Sequence, residues 1–315
     1  MLSLVIPIYK NEENLDRLLR ELALVSTKIP GEMEVVFVVD GSPDRSHSVL
    51  EQRIPELPMK SQLLSLSRNF GSFSAIAAGL ESGKGDYFAV IAADLQEPLE
   101  LVVEFAEALV SDRADIVFGV RSGRSDPWLS ELFATLFWGI YRRFVVPEMP
   151  PGGVDVFGCT REVRDKLLGL REINTNLVAL LFWLGYRREY ISYVRQPRLE
   201  GVSAWTYAKK LRYCVNSIFN FTDLPVRILL GLGAGGSLFA IILSLTVFIS
   251  KVLGYINEPG YAPIILAIMF FGGLTTFGIG IIGQYLWLSL QNTKNRPNYI
   301  VWKQEQHEPI SRGRV

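Results

Sequence analysis

The sequence predicts an α/β protein built on a mostly parallel sheet, followed by a helical membrane segment. Three observations carry that reading. Short, continuously apolar runs alternate with amphipathic stretches over the first 120 residues, as strands buried on both faces alternate with covering helices. The runs Ile228 to Ser250 and Pro259 to Thr293 contain no Asp, Glu, Lys, Arg or His. With 49% hydrophobic and 20% charged residues and a mean hydropathy of +0.23, the composition is that of a membrane protein with a sizeable soluble part. Lys+Arg and Asp+Glu both number 32, so no whole-chain field favours nucleic acid, and none is expected as a partner.

The elements follow in order. "LSLVIPI" has no basic stretch before it and meets a polar turn at once, so it reads as a first strand rather than a signal peptide. A helix from Asn11, the strand "EVVFVVD", a helix near Arg45, the strand "QLLSLS" and a helix from Ser72 come next. The strand "DYFAVIAAD", a helix from Leu99 and the strand "DIVFGV" complete the alternation. In open α/β sheets ligands bind beyond the carboxyl ends of the strands. Tyr9, Asp40, Arg68, Asn69, Asp94 and Gln96 all fall there. Asp40, followed by Gly41, Ser42 and Pro43, can accept from a base or ribose while the small residues let a ligand approach. "VIAADLQEP" ends an apolar run on one carboxylate, Asp94, with Gln96 two residues on.

A membrane-crossing helix needs roughly 20 apolar residues, which places spans near 229–252 and 262–290. Lys209, Lys210, Arg212 and Arg227 precede the first span, and Lys294, Arg296 and Lys303 follow the second. The link between them is short and nearly neutral, so the soluble part and both termini are expected on the cytoplasmic side of the cell (inner) membrane. Gly231 and Gly235 could let the spans approach, and a homo-oligomer is plausible on the same ground. Two further segments, near 128–145 and 205–221, carry aromatic-rich apolar stripes beside Arg142 and Arg143, or Lys209, Lys210 and Arg212. Such faces suit helices lying in the bilayer interface, with packing on the soluble core as the alternative. The expected division is thus an α/β domain over 1–225, a transmembrane hairpin over 226–293 and a tail over 294–315. Cys159 and Cys214 lie far apart without a CxxC partner, which argues against a disulfide framework or structural zinc.

The ordered series "VIPIYKNEENL", "VVDGSPDRS", "LSRNFGSFSAIAAGL", "AADLQEPLE", "GVRSGR", "GGVDVFG" and "RLEGVSAW", followed by the paired spans, resembles the inverting family 2 glycosyltransferases of the GT-A fold. It is most similar to the two-span polyisoprenyl-phosphate glycosyltransferases related to dolichol-phosphate mannose synthase. The resemblance implies a nucleotide sugar held by Pro7, Tyr9, Asp40 and Asp94, and a divalent cation, Mg²⁺ or Mn²⁺, on Asp94 and Gln96. It implies a polyprenyl phosphate acceptor as well. A phosphate acceptor calls for cations, and Arg121, Arg124 and Arg198 are the candidates. Asp155 stands where the family places its acidic residue near the sugar, and is the catalytic candidate. Ala92 replaces the first aspartate of the family's usual Asp-x-Asp, leaving Asp94 with Gln96 as a reduced cation site. The implied reaction gives a β-linked polyprenyl-phosphate hexose by inversion, with UDP-glucose and undecaprenyl phosphate as the preferred pair. GDP-mannose and UDP-aminoarabinose are the alternative donors, and a non-catalytic membrane scaffold is the alternative function. A processive polysaccharide synthase is disfavoured, since no Gln-x-x-Arg-Trp motif is present.

Overall fold

A computed structural model describes residues 1–122, 138–139, 141–143, 146–151, 153–154, 156–170, 176–196, 219, 222, 224–255, 261–294 and 296–309. The chain divides into two compact units: Met1–Leu211 together with Arg296–Val315, and Arg212–Asn295.

The first unit is an eight-stranded sheet in the order β7-β5-β6-β4-β1-β2-β3-β8. Its strands are β1 (Leu2–Ile8), β2 (Met33–Val39), β3 (Lys60–Leu66), β4 (Tyr87–Val90), β5 (Ile116–Arg121), β6 (Val156–Thr160), β7 (Arg188–Tyr193) and β8 (Val301–His307). Strands β1 to β5 and β7 run one way, while β6 and β8 run antiparallel to their neighbours. The helices between them are α1 (Glu12–Val25), α2 (Ser46–Arg53), α3 (Ser72–Ser82), α4 (Glu100–Val110), α5 (Arg161–Gly169) and α6 (Leu177–Leu184). Every helix and strand anticipated over the first 120 residues is present. β2 is buried along its whole length, and Leu4, Ile6, Phe37, Leu15 and Leu18 are inaccessible to solvent. Strands covered on both faces keep no polar alternation, which is what made them readable.

Three strands escaped the sequence, β7 among them because "REYISY" is only partly buried and its apolar residues are broken up by charge. "GGVDVFG" read as a motif, yet its second half begins β6, inserted antiparallel between β4 and β5. The segment 294–315 read as a tail, but Val301–His307 pairs with β3 from Ser61↔His307 to Leu66↔Val301. Its sequence, "VWKQEQH", is mostly polar because the strand is an edge with exposed side chains. The hydrophobic pattern therefore carried no signal, although β8 covers backbone groups that β3 would otherwise leave open.

The second unit contains α7 (Leu224–Val252) and α8 (Tyr261–Thr293). Among the described residues one stretch, Phe270–Thr293, is long and apolar enough to cross a membrane, and Leu224–Gly236 is a shorter apolar piece of α7. The glycines expected to bring the helices together are not the ones that do. A Cβ on Gly231 or Gly235 would meet nothing within 4 Å, whereas one on Gly236 would stand 3.5 Å from the Phe271 ring and one on Gly278 would stand 3.2 Å from Leu229. Helical spacing alone could not choose between neighbouring glycines, since the facing stripe is set by the partner helix.

Most of the two segments read as interfacial helices lies outside the described residues. Tyr141, placed on the first apolar stripe, is 2% exposed. Its hydroxyl accepts from Asn176 Nδ2 at 3.1 Å, and Trp138 packs edge-on against its ring. At that position the stripe is spent on the protein interior.

Candidate active site

The parallel strands all end at one edge. There Ile8 and Val39 are register partners, so Tyr9 and Asp40 leave adjacent strands side by side. Pro7 is tolerated within β1 because β4 pairs only as far as Val5, leaving Pro7 opposite Val38 of β2 alone. The loops after β1 and β2 are knitted together. Lys10 N donates to Ser42 Oγ at 2.8 Å, Glu12 N to Asp44 Oδ2 at 3.2 Å, and Arg45 N and Nε to Glu12 at 2.9 and 2.7 Å. Burial works against the charge on Asp44, but hydrogen bonds from Ser42, Ser46 and the Glu12 amide outweigh it and hold its pKa below the ordinary value. Between these loops lies an open cleft of about 380 Å³ lined by Lys10, Glu12, Glu13, Pro43 and Asp44. Three of the five are acidic, which suits hydroxyl and ring N–H donors better than phosphate oxygens.

Asp40 sits deeper than a ligand contact. It is 3% exposed, and its two oxygens accept from Phe70 N at 2.7 Å and Gly71 N at 2.8 Å. Its carbonyl accepts from Asn69 Nδ2 at 3.3 Å. Burial raises its pKa, partly offset by those two amides and by the charge of Arg68. Gly41 completes the junction: at φ +55° its Cβ would stand 2.3 Å from the Arg68 carbonyl carbon. The small residue that the sequence assigned to an approaching ligand admits the neighbouring loop instead. Arg68 stacks its guanidinium 3.9 Å above the Phe70 ring on the outer side.

The loop after β4 carries the cation candidates. Leu95 lies between them at φ +54°, a left-handed conformation unfavourable for a branched side chain. With Lys10 at φ +56°, it places non-glycine backbone strain in two loops of this edge. Asp94 is half-buried, and its Oδ1 accepts a long 3.4 Å bond from Gln96 N. A half-buried carboxylate at a loop tip fits a hard divalent cation that completes its shell with phosphate and water. Gln96 fits less simply, because Arg195 donates to its Oε1 at 2.5 Å while its Nε2 donates to the Gln196 carbonyl at 3.5 Å. Among the described residues no three His, Cys, Asp or Glu side chains group as a metal cluster.

Arg121 ends β5 opposite Tyr193, the last residue of β7, at the same edge. Ser122 ties that end by donating from N and Oγ to the Tyr193 carbonyl at 2.8 and 2.9 Å. Asp155, Arg124 and Arg198 lie outside the described residues. Cys159 is fully buried in β6 and its thiol is pushed up to about 12 by burial, which makes it a packing residue. Cys214 lies outside the described residues.

A model of the glycosyl transferase family 2 domain matches residues 3–168, which hold the first six strands and every described loop just considered except that after β7. The chain belongs to glycosyl transferase family 2. Its GT-A fold, a Rossmann-like α/β domain with a mostly parallel sheet, is the one expected. Similarity to curated relatives extends well beyond the matched domain. An uncharacterized glycosyltransferase of Synechocystis is 32% identical over 95% of this chain and 94% of its own. The bactoprenol glucosyl transferase of Shigella phage SfII is 29% identical over 98% and 99%. The putative glycosyltransferase CsbB of Bacillus subtilis is 29% identical over 96% and 91%. Among solved structures, glucosyl-3-phosphoglycerate synthase from Mycobacterium tuberculosis covers 69% of this chain at 14% identity, with a TM-score of 0.49.

In this glycosyltransferase the residues missed from the sequence are Asp44, Glu97 and Arg195. Asp44 was legible in principle, since Ser-x-Asp-x-Ser after a strand is a side-chain-to-backbone turn signal. Glu97 is 2% exposed and lies next to a predicted ligand, but an acid flanked by Gln and Pro gives no sign of burial. Arg195 is 99 residues from the glutamine it contacts.

Proposed function

We propose that this glycosyltransferase moves a hexose from a nucleotide sugar to a polyprenyl phosphate in the bilayer, with inversion at the anomeric carbon. The observation that carries the reading is the union in one chain of a family 2 sheet edge with α8, whose apolar stretch spans 24 residues. A soluble acceptor would give the sheet no use for that helix. Large apolar side chains on α7 and α8, among them Leu230, Leu238, Ile268, Phe270, Ile279 and Leu286, are more than half exposed, as lipid-facing residues are. The reading includes two spans and a cytoplasm-facing site in the inner membrane. Relatives named bactoprenol glucosyl transferase support glucose as the sugar and undecaprenyl phosphate as the acceptor.

The chemistry follows from the acceptor. A phosphate monoester has a second pKa of about 6 and is largely dianionic at pH 7, so its oxygen attacks C1 without a strong base. The C1–O bond to the nucleotide breaks, and the diphosphate leaves with both bonding electrons. Asp94, and Gln96 if freed, would hold the Mg²⁺ or Mn²⁺ that neutralises this leaving group. The protein must bring two anions together in line. Arg121 at the β5 end, with Arg124 and Arg198, takes the acceptor phosphate. Asp155 orients the sugar hydroxyls and the acceptor, since a carboxylate acting as base beside a dianion would be opposed by repulsion. Pro7 and Tyr9 bound the base and ribose, and Asp40 shapes that pocket by fixing the loop after β3.

The test uses the full chain in nanodiscs with undecaprenyl phosphate, Mg²⁺ or Mn²⁺, and radiolabelled UDP-glucose, GDP-mannose and UDP-aminoarabinose in parallel. Label should enter the lipid fraction from UDP-glucose, and Asp94→Ala should reduce the rate by about 10²-fold or more. Transfer only from another donor would reassign the sugar. Silence with every donor would favour the scaffold reading, for which Ala92 in place of aspartate is the supporting observation.

A further inference from the structure

Arg195 follows β7 and is 99 residues from Gln96, yet its Nη2 donates to Gln96 Oε1 at 2.5 Å. Its Nε lies 3.9 Å from Glu97 Oε1, on a carboxylate 2% exposed. The two segments are also joined through their backbones, with Gln196 N donating to the Gln96 carbonyl at 2.8 Å. One guanidinium thus sits on the cation loop, between the amide oxygen wanted as a ligand and a buried acid that needs a counter-charge.

We propose that Arg195 is a positioning residue that competes with the divalent cation for Gln96 and so sets cation affinity by donor occupancy. The inference rests on the glycosyltransfer reading above. An amide oxygen has two lone pairs, so hydrogen-bond count alone would let both partners share it. Charge does not. A divalent cation about 2.1 Å from that oxygen and a guanidinium nitrogen 2.5 Å from it would bring three positive charges within a few ångströms of one another. Asp94 and Glu97 are the acids at hand, and Ala92 withholds a third at the position where the family usually has one. A cation arriving alone meets repulsion that the loop does not offset. A cation arriving with a nucleotide diphosphate brings the missing negative charge, and the guanidinium can then yield the Gln96 amide oxygen while the backbone bond from Gln196 N to the Gln96 carbonyl keeps the two segments joined. The gate therefore favours the loaded donor over the bare ion.

The test measures Mn²⁺ binding by electron paramagnetic resonance on the full chain in nanodiscs, with and without UDP, for wild type, Arg195→Gln and Arg195→Lys. Without UDP, Arg195→Gln should bind Mn²⁺ at least about fivefold more tightly than wild type, the scale of a unit charge felt across a few ångströms of a solvated cleft. With UDP the difference should shrink. Arg195→Lys keeps the charge and should stay near wild type, and the thermal transition of Arg195→Gln itself shows whether that variant is folded. Unchanged or weakened Mn²⁺ binding in a folded Arg195→Gln protein would overturn the proposal alone. Wild type that binds no Mn²⁺ even with UDP would overturn the cation-dependent reading of the site, and the proposal with it.

Discussion

Replacing Asp40 by alanine would leave the amides of Phe70 and Gly71 facing a gap in a junction 3% exposed. Each unsatisfied amide costs about 1–3 kcal/mol, part of it recovered because a carboxylate no longer has to be desolvated. A net loss of about 1–3 kcal/mol corresponds to a melting temperature lower by roughly 3–10 °C for a domain of this size, measured by differential scanning fluorimetry. If Asp40→Asn instead weakened UDP binding with no change in melting, Asp40 would touch the nucleotide directly. Asp44 gives a pH signature. Its folded pKa is depressed, so the stability it contributes is present above the unfolded value of about 3.9 and is lost as pH falls through the folded value. The melting advantage of wild type over Asp44→Asn should therefore be full at pH 6 and shrink on titration below pH 4; an advantage constant down to pH 3 would contradict the lowered pKa. At this scale the sequence was a partial guide. Asp94 and Tyr9 were placed at the right edge because each follows an apolar strand. The use of Gly41 and the capture of Gln96 were hidden, since both depend on a partner brought in by the sheet from far along the chain.

At the scale of elements, legibility followed hydrophobic period. The five strands of the first 120 residues were readable because burial on both faces leaves unbroken apolar runs. β8 was unreadable because an exposed edge strand needs no such run. Its attachment is polar: Gln304 Nε2 donates to Gln62 Oε1 and Ser82 Oγ at 3.2 and 2.9 Å, Lys303 pairs with Glu51 at 2.7 Å, and Tyr299 bonds Glu81. Exposed polar pairs contribute little individually, so the main role of β8 is to occupy the β3 edge. Deleting residues 298–315 should lower the melting temperature only modestly, by about 3–6 °C, while shifting the protein in nanodisc-free detergent toward larger species by size exclusion. A truncated chain that stayed monodisperse would show that the β3 edge is protected without β8.

For the whole molecule, charge balance and anchoring predict how the acceptor is found. The formal net charge is zero, so the chain as a whole exerts no long-range attraction on an anionic lipid. On the proposed acceptor, encounter would come instead from confinement to the bilayer through the apolar helix stretch of 24 residues. In that regime the rate depends on the mole fraction of polyprenyl phosphate within the bilayer, rather than on its amount per volume of solution. With protein and total acceptor held constant, adding neutral carrier lipid to proteoliposomes should lower initial transfer in proportion to acceptor dilution below saturation. Adding buffer should leave the rate per enzyme unchanged while nucleotide sugar and cation concentrations are maintained. Label transfer measured along both dilution series separates the two dependences. A rate that followed bulk acceptor concentration and ignored surface dilution would mean that the acceptor reaches the site through water, and the apolar stretch of α8 would then need another purpose.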